Sequence, residues 1–328
     1  LSDAEGPTRL SFQAISQAEP GEALREIFER YWPSYRRWLA RVDGGPTAEE
    51  SEAQLRAHMP VLVPTYEALV DLVGADEEQR RFFTLYCPPP VVRACTQAII
   101  PGEGGSIVRN YDHAPHLCDG IILDSAFGGV PTIAMTDCLW GALDGVNRDG
   151  LAIALAFGGR PETGRGFGAS LILRYVLQTC SDVAGAIDVL GRVPISMAYT
   201  FVALDASGAH ATAFASPGRS TVVDRGLAST NHQRDVEWPE YAQFTESVER
   251  LACTRALLAA EHDVASLVGA FLRPPLYRTA YARGSGTLYT SVLAPSRRSI
   301  DLHWPGQGAS FTLGDVHPMS IDIELVQP

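Results

Sequence analysis

The stretch CTQAIIPGEGGSIVRNYD, residues 95–112, decides how this chain reads. Its centre, Pro101-Gly102-Glu103-Gly104-Gly105, sits between two apolar runs and reads as a hairpin loop rather than a phosphate cradle. With the loop centred near Glu103, residues whose numbers sum to about 206 face each other across the pair. Cys95 then lies opposite Tyr111, and Arg109, Asn110 and Asp112 arrive beside a cysteine. An adjacent guanidinium favours the thiolate, which makes Cys95 a candidate nucleophile and Arg109 its partner. Arg109 and Asp112 fall on opposite faces of an ideal strand. Both serve Cys95 only if the strand bends, bulges or ends there.

The composition is that of an ordinary globular chain. Its 328 residues allow one large domain or two, and a large core without disulfides. All 26 basic residues are arginine; against 38 acids they leave a net charge of −12. That balance argues against broad nucleic-acid or anionic-membrane binding. No apolar run reaches ~18 residues, so no membrane span is expected. The start, Leu1-Ser2-Asp3-Ala4-Glu5, is polar and acidic and does not read as a secretory signal. The six cysteines, at 87, 95, 118, 138, 180 and 253, form no C-x-x-C pair. They read as thiols in a reducing cytoplasm, not as a disulfide framework or zinc site.

The first ninety residues differ from the rest. Residues 22–42, EALREIFERYWPSYRRWLARV, have the three-four apolar spacing of an amphipathic helix, kinked or divided at Pro33. Thr47 caps a second helix. A third covers 66–73 and a fourth 76–85, and no strand is expected before residue 91. Cys87-Pro88-Pro89-Pro90 breaks the pattern. Strands are then expected over 91–100, 106–111, 120–127, 132–137, 139–143, 151–157, 199–205, 210–215, 220–224, 287–293, 299–304 and 310–313. Helices are expected over 169–180, 181–190, 246–261 and 264–271. Strands, helices, then strands indicate an α+β layered sandwich.

Four short segments carry a resemblance. Cys95-Thr96 is followed by Arg109-Asn110-Tyr111-Asp112; then come Gly145-Val146-Asn147-Arg148-Asp149-Gly150-Leu151, Ser229-Thr230-Asn231-His232, and Gly286-Thr287-Leu288-Tyr289-Thr290-Ser291-Val292. In this order they resemble the isopenicillin N acyltransferase-like (acyl-coenzyme A:6-aminopenicillanic acid acyltransferase) family of N-terminal-nucleophile (Ntn) hydrolases. That family is related to choloylglycine hydrolase and penicillin V acylase. The resemblance covers roughly residues 91–313. It implies a four-layer αββα sandwich with an N-terminal helical segment packed on it. Choloylglycine hydrolases begin almost at their cysteine, whereas acyltransferase-type relatives carry a helical segment of about this size and cleave it at the cysteine. Residues 1–94 would then be a propeptide-like segment that stays bound, and 95–328 the catalytic core. Ala94–Cys95 would be the self-cleavage site, although the family's cut follows glycine.

The resemblance also implies roles. Cys95 gains a free α-amine near its working pH and needs no separate histidine base. Asp112 holds that amine, Arg109 steadies the thiolate, and Asn231 donates to the oxyanion. A backbone N–H near Phe157 or Gly158 is the second donor. Arg283 is the candidate for the family's late arginine, and Tyr111, Phe157 and Gly158 are candidate substrate-binding residues. Trp140, Phe157 and Tyr199 line an acyl pocket or pack the core. No cofactor and no metal are expected, although His113, His116, Cys118 and Asp119 cluster in sequence. A papain-type pairing of Cys95 with His113 or His232 is an alternative. The activity so implied is hydrolysis of a linear amide in a small molecule through a Cys95 thioester. Transfer of the acyl group to an amine, or a catalytically silent binding protein on the same fold, are the alternatives. The resemblance further implies a cytoplasmic enzyme of secondary metabolism, with no nucleic-acid or membrane partner, and is compatible with a homo-oligomer.

Overall fold

The computed structural model describes residues 8–42, 44–260 and 263–325. The polar start and residue 261 lie outside them. In chain order the elements are β1 (Thr8–Gln17), α1 (Glu22–Leu39), α2 (Ala48–His58), α3 (Val63–Val73), α4 (Glu77–Thr84), β2 (Ala94–Ile100), β3 (Ser106–His113), β4 (Ile121–Ser125), β5 (Thr132–Asp137), β6 (Gly141–Asn147) and β7 (Leu151–Phe157). Then follow α5 (Ala169–Thr179), α6 (Val183–Arg192), β8 (Tyr199–Asp205), β9 (His210–Ser216), β10 (Arg219–Asp224), β11 (Ala228–Ser229), α7 (Pro239–Phe244), α8 (Ser247–Ala259) and α9 (Val264–Phe271). The chain closes with β12 (Thr279–Ala280), β13 (Ser285–Ala294), β14 (Ser299–Trp304), β15 (Gln307–Thr312) and β16 (Met319–Leu325).

Two sheets stack face to face. One runs β10-β9-β8-β7-β6-β5-β4-β1-β16; the other runs β11-β2-β3-β13-β14-β15, with β12 beside β13. β2, β3 and β13 meet β6 and β7 across the interface, while α5 and α6 cover the larger sheet and α8 and α9 the smaller. The expected four-layer α+β sandwich is therefore the architecture. Strands at the centre, such as Leu151–Phe157 and Ser106–His113, are buried along their whole length. That is why they read as continuous apolar runs rather than alternating ones.

The hairpin has the register that the loop position predicts. Cys95 lies opposite Tyr111, Ala94 opposite Asp112 and Gln97 opposite Arg109. The irregularity foreseen near Asp112 falls on the neighbouring strand instead. β13 shifts register between Thr287 and Tyr289, where it faces Asp112 and Tyr111.

The segment before Cys95 departs from expectation in two places. Thr8–Gln17 is a strand, inserted between β4, to which it is parallel, and β16, to which it is antiparallel. Its alternation is genuine, with Phe12 and Ala14 buried and Arg9 exposed. Its partners lie 100 and 300 residues away in the chain, roughly, so no local turn announces it. Pro33 does not divide α1, which runs unbroken from Glu22 to Leu39. Glu29, whose carbonyl loses its donor to Pro33, is exposed, so that carbonyl is not left unpaired in the core. The caps behave as read: Thr47 Oγ1 accepts from Glu50 N–H at 3.1 Å, and Asp76 forms a capping box with Gln79.

Aromatic packing ties these helices together and to the core. Tyr35 stacks on Phe82 at 4.6 Å between centroids, and Phe28 packs on Phe83 at 5.0 Å. Tyr31 and Tyr35 each donate to Asp119, on its backbone oxygen at 3.0 Å and its carboxylate at 2.7 Å. Residues 88–93 form neither helix nor strand and lead directly into Ala94.

Candidate active site

The alternation of β2 divides the site into two faces. Cys95 and Arg109 point between the sheets, whereas Thr96, Asn110 and Asp112 point toward the layer of α8 and α9. Arg109 shows this directly. It donates from Nη2 to Cys95 Sγ at 3.4 Å, from Nε to Leu155 O at 3.0 Å, and from Nη1 to Asp144 at 2.6 Å and Tyr289 Oη at 2.9 Å. Arg109 and Asp144 are both fully buried. The guanidinium also lies over the Tyr111 ring, 4.8 Å from its centroid. Tyr111 is buried beneath it.

Cys95 itself is wholly inaccessible. Burial pushes its thiol above the ordinary range, and Arg109, the largest opposing influence, pulls it back. In the intact chain burial thus outweighs the pull of the Arg109 guanidinium on the thiol.

Asn231 sits in the loop after β11 and meets the backbone on both sides of the Ala94–Cys95 bond. Its Oδ1 accepts the Cys95 N–H at 2.9 Å. Its Nδ2 donates to Arg93 O at 3.0 Å and to Phe157 O at 3.2 Å. Tyr241 Oη donates to the same Arg93 carbonyl. The Asn231 backbone is held by Ser247 Oγ at 2.8 Å. Gly159 is required beside it: its φ is +68°, and a Cβ there would stand 2.2 Å from Asn231 O.

Asp112 is fully buried on the helix side. Its Oδ1 accepts from Thr287 Oγ1 at 2.7 Å, and its Oδ2 lies 3.8 Å from Arg250 Nη1. Burial raises its carboxyl above the usual range, with Arg250 the chief opposing charge. Arg250, on α8, is the residue that the sequence reading missed. It donates to Cys95 O and Thr96 Oγ1, both at 2.6 Å, and to Asn231 Oδ1 at 2.7 Å. In the sequence it is one of two arginines on a predicted helix, with nothing to mark it as buried.

Three expectations are corrected here. Arg283 is exposed in a short turn before β13 and stands apart from the cluster, while the buried Arg250 meets Asn231 and Cys95. The Gly158 N–H is taken by Ala198 O at 2.8 Å, because strand pairing continues past β7, so it is no free donor. The Phe157 ring packs edge-on against Tyr199 and Tyr241 at 5.9 and 5.2 Å, as core. Trp140 is likewise buried, donating to Phe83 O.

Neither histidine partners Cys95. His232 Nδ1 is paired with Ser247 Oγ at 2.8 Å, and His113 packs on the edge of Tyr111. Both rings are kept below the ordinary imidazole range, chiefly by burial. Among the described residues no three His, Cys, Asp or Glu side chains are grouped to hold a metal ion.

A cavity of about 480 Å³ lies between α1 and the core. Tyr31, Tyr35 and Trp38 line one side, and Arg93, His113, Asp119 and Asp137 the other. The Arg93 guanidinium at its wall lies 5.9 Å from the Tyr111 centroid, and Tyr111 faces Cys95 across the hairpin. Among the described residues no helix is long and apolar enough to cross a membrane.

The structure thus presents a sandwich of two sheets with a buried cysteine near the start of the central hairpin, and the family match supplies the class, that of the acyltransferases. The chain belongs to the acyl-coenzyme A:6-aminopenicillanic acid acyl-transferase family, whose model matches residues 101–309, more than half of its length. The match includes Arg109, Asp112, Asn231 and Arg250 and begins shortly after Cys95. No curated protein matches the chain. Among solved structures it is similar to penicillin V acylase from Agrobacterium tumefaciens, with 16% identity, 66% of this chain and 84% of that one covered, and a TM-score of 0.45. It is also similar to a mutant conjugated bile acid hydrolase from Clostridium perfringens, at 11% identity, 69% and 96% coverage and a TM-score of 0.48. A third is the Caenorhabditis elegans N-acylethanolamine-hydrolyzing acid amidase ortholog, at 16% identity, 62% and 93% coverage and a TM-score of 0.42.

Proposed function

We propose that this protein is a cysteine amidohydrolase of the Ntn type, activated by cutting its own Ala94–Cys95 bond. The observation that carries this reading is the convergence on Cys95. Arg109 meets its sulfur, Asn231 its N–H and Arg250 its carbonyl. A merely structural buried cysteine has no need of three polar partners, each itself fully buried.

In self-cleavage, Cys95 Sγ attacks the Ala94 carbonyl carbon. The C–N bond breaks as the C–S bond forms, and the nitrogen takes the thiol proton. Water then hydrolyses the thioester, leaving an Ala94 carboxylate and a Cys95 α-amine. Asn231 Oδ1, already the acceptor for that nitrogen, holds the new amine. Its pKa near ~8 lets it take the thiol proton at neutral pH. Arg109 then faces a thiolate, whose charge offsets the cost of burying the guanidinium. The thiolate attacks a substrate amide, the protonated amine supplies the leaving nitrogen, and water resolves the thioester. Asp112 acts through Arg250 as a positioning residue rather than on Cys95 itself. The oxyanion role implied for Asn231 needs an N–H now given to Arg93 O or Phe157 O. Withdrawal of residues 88–94 from the cleft after cleavage, with the rest of the segment still bound, frees the first.

The family match favours a second outcome for the same thioester, its capture by an amine instead of water. Turnover of a chromogenic amide with and without added amines separates the two. Free acid alone supports hydrolysis, and new amide product supports transfer. Cys95→Ala abolishes both; a variant that still turns over overturns the assignment of the nucleophile.

A further inference from the structure

The cavity beside α1 ends on a carboxylate already occupied by the chain's own cation. Arg93 Nη2 donates to Asp137 Oδ1 at 2.8 Å, with both side chains about nine-tenths buried. Asp119 stands beside Asp137, held by Tyr35 Oη at 2.7 Å and the Leu139 N–H at 3.2 Å. The Tyr111 ring supplies an aromatic face to the same guanidinium. Arg93 Nε is buried with no hydrogen-bond partner. The turn that presents Asp137 keeps Cys138 and Leu139 at φ +53° and +71°, a conformation that side chains other than glycine rarely adopt.

Residues 88–93 contribute to the lining of two neighbouring cavities. The 480 Å³ cavity and a small void of about 30 Å³ share Trp38, Val91, Arg93, Asp137 and Cys138. Arg93 is the second residue before the bond proposed to be cut, and its carbonyl is pinned by Asn231 and Tyr241. The intact chain is therefore its own first substrate, with a cationic side chain seated on Asp137. Once this segment withdraws, a buried carboxylate is left unpaired, which is costly unless another cation replaces the first. Arg37 and Arg41 stand exposed at the rim, where water screens them.

Resting on the reading of Cys95 as nucleophile, we propose that Asp137, Asp119 and Tyr111 form the acyl-side subsite of the cleaved enzyme. It takes amides whose acyl half carries a guanidinium or ammonium group two residues' length from the reacting carbonyl. The site is thus specific for basic acyl groups.

The test uses the cleaved protein and two probes, acetyl-arginyl-alanine p-nitroanilide and its acetyl-citrullyl twin, which keeps the shape and removes the charge. Cys95 attacks the alanyl carbonyl, p-nitroaniline leaves with a proton, and water releases the acid. The expected result is a kcat/KM at least about tenfold higher for the arginyl probe, from one charge-assisted hydrogen bond. Asp137→Asn should bring the ratio toward one. Equal rates in the unaltered protein, or a preference that survives Asp137→Asn, overturn the subsite. Turnover of neither probe by a chain that has cleaved, with Cys95 open to alkylation, also overturns the subsite alone. A chain that never cleaves overturns the nucleophile reading and the subsite with it.

Discussion

Asn231 Oδ1 accepts the backbone N–H of Cys95 at 2.9 Å, joining residues 136 positions apart in the chain. The bond ties the loop after β11 to the start of β2 and aims a carboxamide at the nitrogen that self-cleavage would release. Asn231→Leu keeps the branched shape and removes both the acceptor and the donors. Self-cleavage and amide turnover should each fall by ~10²–10³ while the fold persists. Circular dichroism and cleavage time courses on the same preparation check this.

Arg109 and Asp144 form a fully buried ion pair at 2.6 Å, with Tyr289 and Ser291 also bonded to the Asp144 carboxylate. Asp144→Ala leaves a buried guanidinium without its counter-charge. The expected loss is about 3–5 kcal/mol of unfolding free energy, measured by urea titration. A change below ~1 kcal/mol would mean that Arg109 finds another partner or water.

Asp119 links α1 to the core, and burial together with Asp137 pushes its carboxyl up to about 7. The unfolded carboxyl ionises near ~4. Between those two pH values the unfolded chain binds fewer protons than the folded one, so stability falls as pH rises through this window. Asp119→Asn keeps an oxygen for Tyr35 and Leu139 but removes the titration. From pH 5 to pH 8 the native protein should lose roughly 2 kcal/mol relative to the variant. Urea midpoints of both proteins at the two pH values read this directly; parallel curves would contradict it.

What the sequence discloses follows from the range of the interactions. The hairpin register, Cys95 opposite Tyr111, depends on a local glycine-rich loop and is legible by counting. Leu151–Phe157, Tyr199–Asp205 and Val264–Phe271 are bounded by their own apolar runs and fall where expected. β1 and β16 escape notice because their partners are remote: β1 pairs with β4 and with β16, and β16 pairs with β1 from the opposite end of the chain. Arg250 escapes for a similar reason. Its burial is decided by Asp112, Asn231 and the Cys95 carbonyl, none of which is near it in sequence. Arg283 is the candidate that the sequence offers for the family's late arginine because it precedes the strand bearing Thr287, yet its turn leaves the side chain exposed.

Intact mass of the purified protein under denaturing conditions tests the central claim most directly. Two fragments, the second beginning at Cys95, are the predicted result, with Cys95→Ala giving a single uncut chain. One full-length species that persists for days at neutral pH in the unaltered protein would contradict the account.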